Sequence, residues 1–327
     1  MTMTPSSQNQ LFHRLRRLAA SQGPYLALVL LLLVCAVSSP AFRRPQNLLN
    51  ITRQVSYSGI IALGMTAVII GGGIDLSVGA LLAFAGTVGI MAMNACDTPA
   101  AGLAVAIAVM LLTGTAGGAV NGALVTIGRL PPFIATLGTL SIFRSLSLYL
   151  AGAGLTTSRH DVFMQVGGAV IGGVPLPAWI LLLLTALGAV LMTCTKLGRH
   201  ICAVGSNQRV ARYAAINTGK VTFITYVLIG LLAGISAFLL GGRLGSISSS
   251  TAGNAYELDA IAAVIIGGAS MAGGRGSMTG TLAGILILGI IANILDMWGV
   301  SVYLQGAVKG AVIIIAVLLQ RPQNQQA

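Results

Sequence analysis

Almost the whole chain is apolar sequence, broken at intervals by short polar or glycine-rich punctuation. A helix needs about 20 apolar residues to cross a bilayer. The pattern divides into ten such segments, near 24–40, 55–72, 76–94, 102–127, 132–151, 176–194, 218–242, 257–272, 278–296 and 300–319. It predicts an all-α polytopic membrane protein with a tail at 1–23, a single transmembrane domain at 24–319 and a second tail at 320–327. One long stretch cannot lie in hydrocarbon. Residues 197–220, LGRHICAVGSNQRVARYAAINTGK, gather Arg199, His200, Arg209, Arg212 and Lys220 with Asn207, Gln208 and Asn217. Ser206 and Asn207 can cap a helix, and Val210, Tyr213, Ala214 and Ile216 give it one apolar side. Such a helix, inserted between two groups of spanning helices, reads either as a handle for a partner or as a basic loop that only fixes orientation.

Composition supports the membrane assignment. Of 327 residues, 56% are hydrophobic and 7% charged, and the mean hydropathy is +0.92, outside the range of soluble domains. The net charge of +12 is accounted for by basic residues between apolar runs, so nucleic acid is not an expected partner. With the N-terminus inside, the inner tails and loops hold 11 Lys and Arg against 5 in the outer loops, although Arg43, Arg44 and Arg53 oppose this locally. The acids Asp97, Asp161, Glu257, Asp259 and Asp296 then fall on the outer side. Cys35, Cys96, Cys194 and Cys202 form no CxxC pair and have no neighbouring His, which points to neither a metal site nor a disulfide framework. The first apolar run resembles a signal peptide in charge and length, but nine further apolar segments favour an uncleaved first span.

Glycine accounts for 43 residues. Gly114, Gly117, Gly118, Gly122, Gly280, Gly284 and Gly289 lie inside apolar runs, where small residues let helices approach closely. Gly71 to Gly73 and Gly267, Gly268, Gly273, Gly274 and Gly276 are denser than packing needs and predict helix breaks or tight turns. The hexapeptide AVIIGG occurs at 67–72 and again at 263–268. Internal duplication, common among transporters, and chance recurrence of common membrane residues both account for it.

Polar groups within the apolar runs are the candidate functional residues. Asp75 follows three glycines and precedes a helical run, so it either caps a broken helix or, with Ser77, borders a polar pathway. Glu257 and Asp259 begin the eighth segment in the same manner, and Glu257 can cap, gate or meet an external partner. Asn121, Thr136, Arg144, Asn293 and Lys309 stand singly. An ionisable group at such depth faces the bundle interior, so Arg144 and Lys309 are expected to pair with acids or carbonyls. No GxxxxGK[ST] loop exists; Gly219 and Lys220 lack the first glycine and are followed by Val221. The chain is therefore not an ATPase. His13, His160 and His200 lie in the tail or loops without a nucleophile or metal constellation, so neither enzyme activity nor a cofactor is expected. An ATP-driven system with a separate ATPase, an ion-coupled secondary carrier using Asp75, Glu257 or Asp259, and a passive channel or scaffold remain as alternatives.

Five motifs carry a resemblance: GGIDLSVGA at 72–80, FIATLGTLSIFR at 133–144, LGRHICAVGSNQRVARYAAIN at 197–217, AYELDAIAAVIIGGASMAGGRGS at 255–277 and VSVYLQGAVKGAVIIIAV at 300–317. Together they resemble the permease subunits of bacterial ABC importers for monosaccharides, a group that includes the ribose, xylose and galactose permeases. The likeness covers the chain from about Pro40 to Leu319. It implies a type II importer-like bundle of about ten helices that pairs with a second copy or a paralogue. A periplasmic sugar-binding protein would dock outside and a cytoplasmic ATPase with two nucleotide-binding domains inside, the whole embedded in membrane lipid. Gly205, Asn207, Arg209, Ala211, Arg212, Ala215 and Ile216 would form the coupling helix that meets the ATPase. Asp75, Ser77, Asn121, Thr136, Glu257 and Asn293 would line or gate the pathway, and likeness to ribose permeases makes a pentose or similar sugar the expected cargo. The chain departs from its relatives at Asn207–Gln208, where an Asn-Glu pair is common, at Ala215, Ser145 and Ile294, where glycine is common, and so leaves the partner ATPase and the sugar open.

Overall fold

The structure, a computed structural model, describes residues 7–319; of the two expected tails, 1–6 and 320–327 lie outside the described residues. The first helix, α1 (Ser7–Ser38), begins well before the expected span at 24 and carries Pro24 inside it. It is followed by α2 (Pro45–Ile70), α3 (Val78–Asn94), α4 (Pro99–Thr126) and α5 (Pro132–Leu150). Then come β1 (Leu155–Thr157), α6 (Asp161–Gly167) and the small hairpin β2 (Val170–Ile171) and β3 (Val174–Pro175). The second half comprises α7 (Leu176–Cys194), α8 (Lys196–Ser206), α9 (Gln208–Tyr213), α10 (Thr218–Leu244), β4 (Ser246–Ser248), α11 (Tyr256–Ile266), α12 (Met278–Met297) and α13 (Val302–Leu319). Proline stands first in α2, α4 and α5 and second in α7, where its fixed φ suits the helix and its missing N–H has no intrahelical partner to lose. The protein is a polytopic helical membrane protein. Among the described residues, α2, α4, α5, α7, α10 and α12 are long and apolar enough to cross a membrane; α3 and the 22–38 part of α1 are shorter apolar stretches.

Helix α2 is the centre of the bundle, buried from Val55 to Ile70 and packed by α7, α10, α11 and α12. A helix apolar on every side belongs in such a position. Its polar groups are used to bind neighbours: Ser236 of α10 donates to the Tyr57 carbonyl at 2.8 Å, and Thr66 bonds Thr281 of α12 at 2.7 Å. The closest helix pair is α4 with α10. A methyl group on Gly114 would collide with the Gly230 carbonyl, one on Gly118 with the Tyr226 carbonyl, and one on Gly234 with the Met110 carbonyl. The interior glycines therefore do the work expected of them, since in lipid it is close backbone approach that holds helices together.

The eighth expected span, 257–272, is corrected by the structure. Helix α11 has 11 residues, about 16 Å at 1.5 Å per residue, roughly half of a 30 Å hydrocarbon core. The segment before it runs back along α3: Ile247 packs on Gly86, and Gly253 packs on Gly79, two turns nearer the start of that helix. This non-helical stretch is satisfied by protein. Strand β4 pairs with β1, Ser249 N–H donates to the Gly154 carbonyl, and Arg144 of α5 donates to the Ser249 and Ala252 carbonyls at 2.9 and 3.0 Å. Irregular backbone at such depth is tolerated only when so sheltered.

Candidate functional site

Both AVIIGG copies end a helix in the same way. In the first, Gly71 continues the helix (φ −71°) and Gly72 turns left-handed (φ +84°); in the second, Gly267 (φ −67°) and Gly268 (φ +88°) do the same. Gly72 N–H donates to Ile69 O and Gly73 N–H to Val68 O, matched by Gly268 to Ile265 and Ala269 to Val264. These are paired Schellman caps, so the expected breaks fall where the glycines cluster.

After the first cap the chain bends through Ile74 and Asp75 into α3. Asp75 is fully buried. One carboxylate oxygen accepts from the Ser77 N–H at 2.9 Å and the Ser77 hydroxyl at 2.7 Å, and the other from Asn121 Nδ2 of α4 at 3.2 Å. Asn121 also donates to Ser77 Oγ at 2.8 Å and accepts from Thr139 of α5 at 2.6 Å. Tyr226 of α10 donates to the Ile74 carbonyl at 3.0 Å. The carboxylate thus holds the entry to α3, as a cap would, and also ties α4 and α5 to it. Thr139 and Tyr226 were not singled out from the sequence. Thr136, one turn from Thr139, is buried but bonds its own helix at the Pro132 carbonyl.

The remaining expected residues lie apart from this cluster. Glu257 is half-buried, its carboxylate against Gly79 in the first turn of α3, and Arg144 is the cation that acts on it. It therefore stands level with the start of α3 and not at the outer end of a span, because α11 begins only after the descent along α3. Arg144 finds carbonyls, with Asn254 Oδ1 added at 2.9 Å. Lys309 pairs with Asp259 at 3.0 Å, joining α13 to α11. Asn293 forms a reciprocal amide pair with Asn47 at 2.9 and 3.0 Å, a clasp between α12 and α2.

The basic island folds as two helices. Thr195 caps α8 by accepting from Gly198 N–H, and Asn207 caps α9 by accepting from Arg209 and Val210 N–H. Ile201 and Val204 bury the inner face of α8. In α9 only Ala211 is buried; Val210, Tyr213, Arg209 and Arg212 are exposed, Tyr213 almost completely. The expected apolar side of Val210 and Tyr213 is therefore presented outward, and a one-methyl residue makes the contact with the bundle. Ala215 is left-handed (φ +58°) and, with Ile216, closes α9 by bonds to Arg212 and Ala211. Gly205, in the last turn of α8, packs so closely on the Ile70 carbonyl that no side chain fits.

A family model described as "Branched-chain amino acid transport system / permease component" matches residues 47–317. The chain is 42% identical over 305 residues to a ribose import permease protein of Bacillus subtilis, covering 92% of this chain and 93% of that protein. It is 38% identical over 306 residues to a ribose import permease protein of Haemophilus influenzae, covering 92% and 93%. An autoinducer 2 import system permease protein of Photorhabdus laumondii is 33% identical over 297 residues, covering 89% and 88%. No solved structure matches.

Proposed function

The chain belongs to the family of branched-chain amino acid transport system permease components, and from that premise we propose that it is the membrane-spanning subunit of an ABC importer carrying ribose or a similar monosaccharide across the bacterial inner membrane. The observation that carries the reading is the 42% identity to a ribose import permease over 92% of the chain. Three partners complete the machine: a cytoplasmic ATPase with two nucleotide-binding domains, a periplasmic sugar-binding protein, and a second copy of this chain or a paralogue. ATP hydrolysis belongs to the partner.

Ten crossings follow if α1, α2, α3, α4, α5, α7, α10, α12 and α13 each make one, and α11 with the segment before it makes the tenth. That count leaves α8 and α9 on the side of the N-terminus, where an exposed basic helix meets the ATPase through Arg209 and Arg212. Solute sites of transporters sit where helices are interrupted, which directs the pathway to the start of α11. Glu257, half-buried beside Arg144, faces that interruption. Asp75, Ser77 and Asn121, sealed one turn away, serve as a gate that fixes the bend into α3, and Thr136 and Asn293 act at the flanking helix contacts. The test is ribose uptake in proteoliposomes containing permease, ATPase and binding protein. Uptake that requires ATP and all three components, and survives an ionophore, is expected; uptake without the ATPase, or collapse with the ionophore, overturns the reading.

A further inference from the structure

The Schellman-capped end of α2, the loop that joins α11 to α12 and the junction between α8 and α9 meet at one point. Ile70, the last residue of α2, accepts a hydrogen bond at 2.8 Å from Gly274, in the loop that follows α11. Gly205 lies against both partners of that bond: a methyl group on it would strike the Ile70 carbonyl and stand 2.7 Å from Gly274 N. From the other side, left-handed Gly273 (φ +85°) packs on Gly205 and left-handed Gly274 (φ +77°) on Ser206. Ile201, fully buried one turn earlier in α8, reaches Gly71. Three backbone segments are thus in direct contact, and none can slide without breaking the Ile70–Gly274 bond.

We propose that the α8–α9 junction grips the end of α2 and the loop that joins α11 to α12 as one rigid body, so that a push received by α9 is delivered to both at once, with Gly273 and Gly274 as positioning residues. The inference rests on the importer reading. It goes further by naming where the movement is transmitted: to the central helix α2 and, through that loop, to the half-length helix α11, which begins at Tyr256. Close-packed elements transmit displacement because they have few intermediate arrangements.

The test uses the reconstituted three-component complex. Wild-type uptake that requires ATP is the baseline, and its absence would refute the importer reading before the grip is examined. Gly274→Ala, which adds a methyl at a left-handed position against Ser206, is expected to lower ribose taken up per ATP hydrolysed at least fivefold, with membrane insertion and ATPase co-purification unchanged. Gly219→Ala, at the start of α10 with only a 3.6 Å contact to Asn217, is expected to leave the ratio as in wild type. A second arm does not depend on Gly274→Ala folding. In a background lacking the four native cysteines, Gly71→Cys with Ile201→Cys is joined by a short thiol cross-linker, because a β-carbon at 71 would lie 3.7 Å from Ile201. Elements that move together tolerate a tether, so uptake is expected within twofold of the same protein before cross-linking. An unchanged uptake-to-ATP ratio in Gly274→Ala, or uptake abolished by the tether, would overturn the grip.

Discussion

Ala215 occupies the left-handed residue of the cap that closes α9, with φ at +58°, a conformation that costs a β-carbon roughly 1–2 kcal/mol. Glycine, common at this position among the sugar permeases the chain resembles, would relieve that strain, although it enlarges the freedom of the unfolded chain by about 0.4–1 kcal/mol. Ala215→Gly is therefore expected to stabilise the protein by up to about 1 kcal/mol, seen as a higher midpoint in thermal unfolding in detergent. Elsewhere single letters conceal two roles. Thr136 and Thr139 sit one turn apart in the same apolar helix; the first bonds its own Pro132 carbonyl, while the second donates to Asn121. Nothing in the local sequence separates them, since a threonine hydroxyl can serve its own turn or a neighbour equally well. Asp75 was legible because a carboxylate after three glycines has few uses; its link through Asn121 to Thr139 was not. Thr139→Val leaves Asn121 Oδ1 without that donor in a buried site, at a cost of about 1–3 kcal/mol. Thr136→Val costs less, because the carbonyl it abandons keeps its helical bond. Comparing the two unfolding midpoints checks the assignment.

At the scale of elements, the ends of most helices could be read from proline and glycine, and the failure at α11 has a definite cause. Residues 257–272 are apolar enough to span, but the cap at Gly267 and Gly268 ends the helix at Ile266. The segment before it is serine-, threonine- and glycine-rich sequence that reads as an ordinary loop. Only tertiary contacts, with Gly86 and Gly79 on one side and Arg144 on another, allow that segment to descend. The short α11 is held in turn to α13 by Asp259 and Lys309. The pair is partly exposed, 17% and 29% for the two side chains, so its net contribution is modest, yet breaking one side strands a charge among apolar neighbours. Lys309→Met alone is expected to destabilise more than Lys309→Met combined with Asp259→Asn. A double-mutant cycle of unfolding free energies reads the coupling, and a coupling of zero would show that α13 is placed by packing alone.

For the whole molecule, charge and shape lead to the same surface. The apolar bundle offers few places for a soluble partner to exert force, and the exposed α9 is one of them: short, capped at both ends, and anchored through Ala211 and the adjacent Gly205. Its Arg209 and Arg212 are exposed, so neither is required to hold the fold, although Arg212 also donates to Thr218 at 3.3 Å. Reversing them should act on docking and leave insertion alone. Charges on a rim mainly set the encounter and its dependence on salt. Arg209→Glu and Arg212→Glu are each expected to reduce co-purification of the ATPase, more together than singly, and the wild-type interaction should weaken as ionic strength shortens the Debye length from about 10 Å at 0.1 M to 3 Å at 1 M. The exposed Val210 and Tyr213 supply an apolar contact that salt does not screen. Tyr213→Ala should therefore weaken docking by a similar factor at low and high salt. If the double arginine reversal left the ATPase bound at wild-type levels in both conditions, α9 would not be the surface through which the importer is driven.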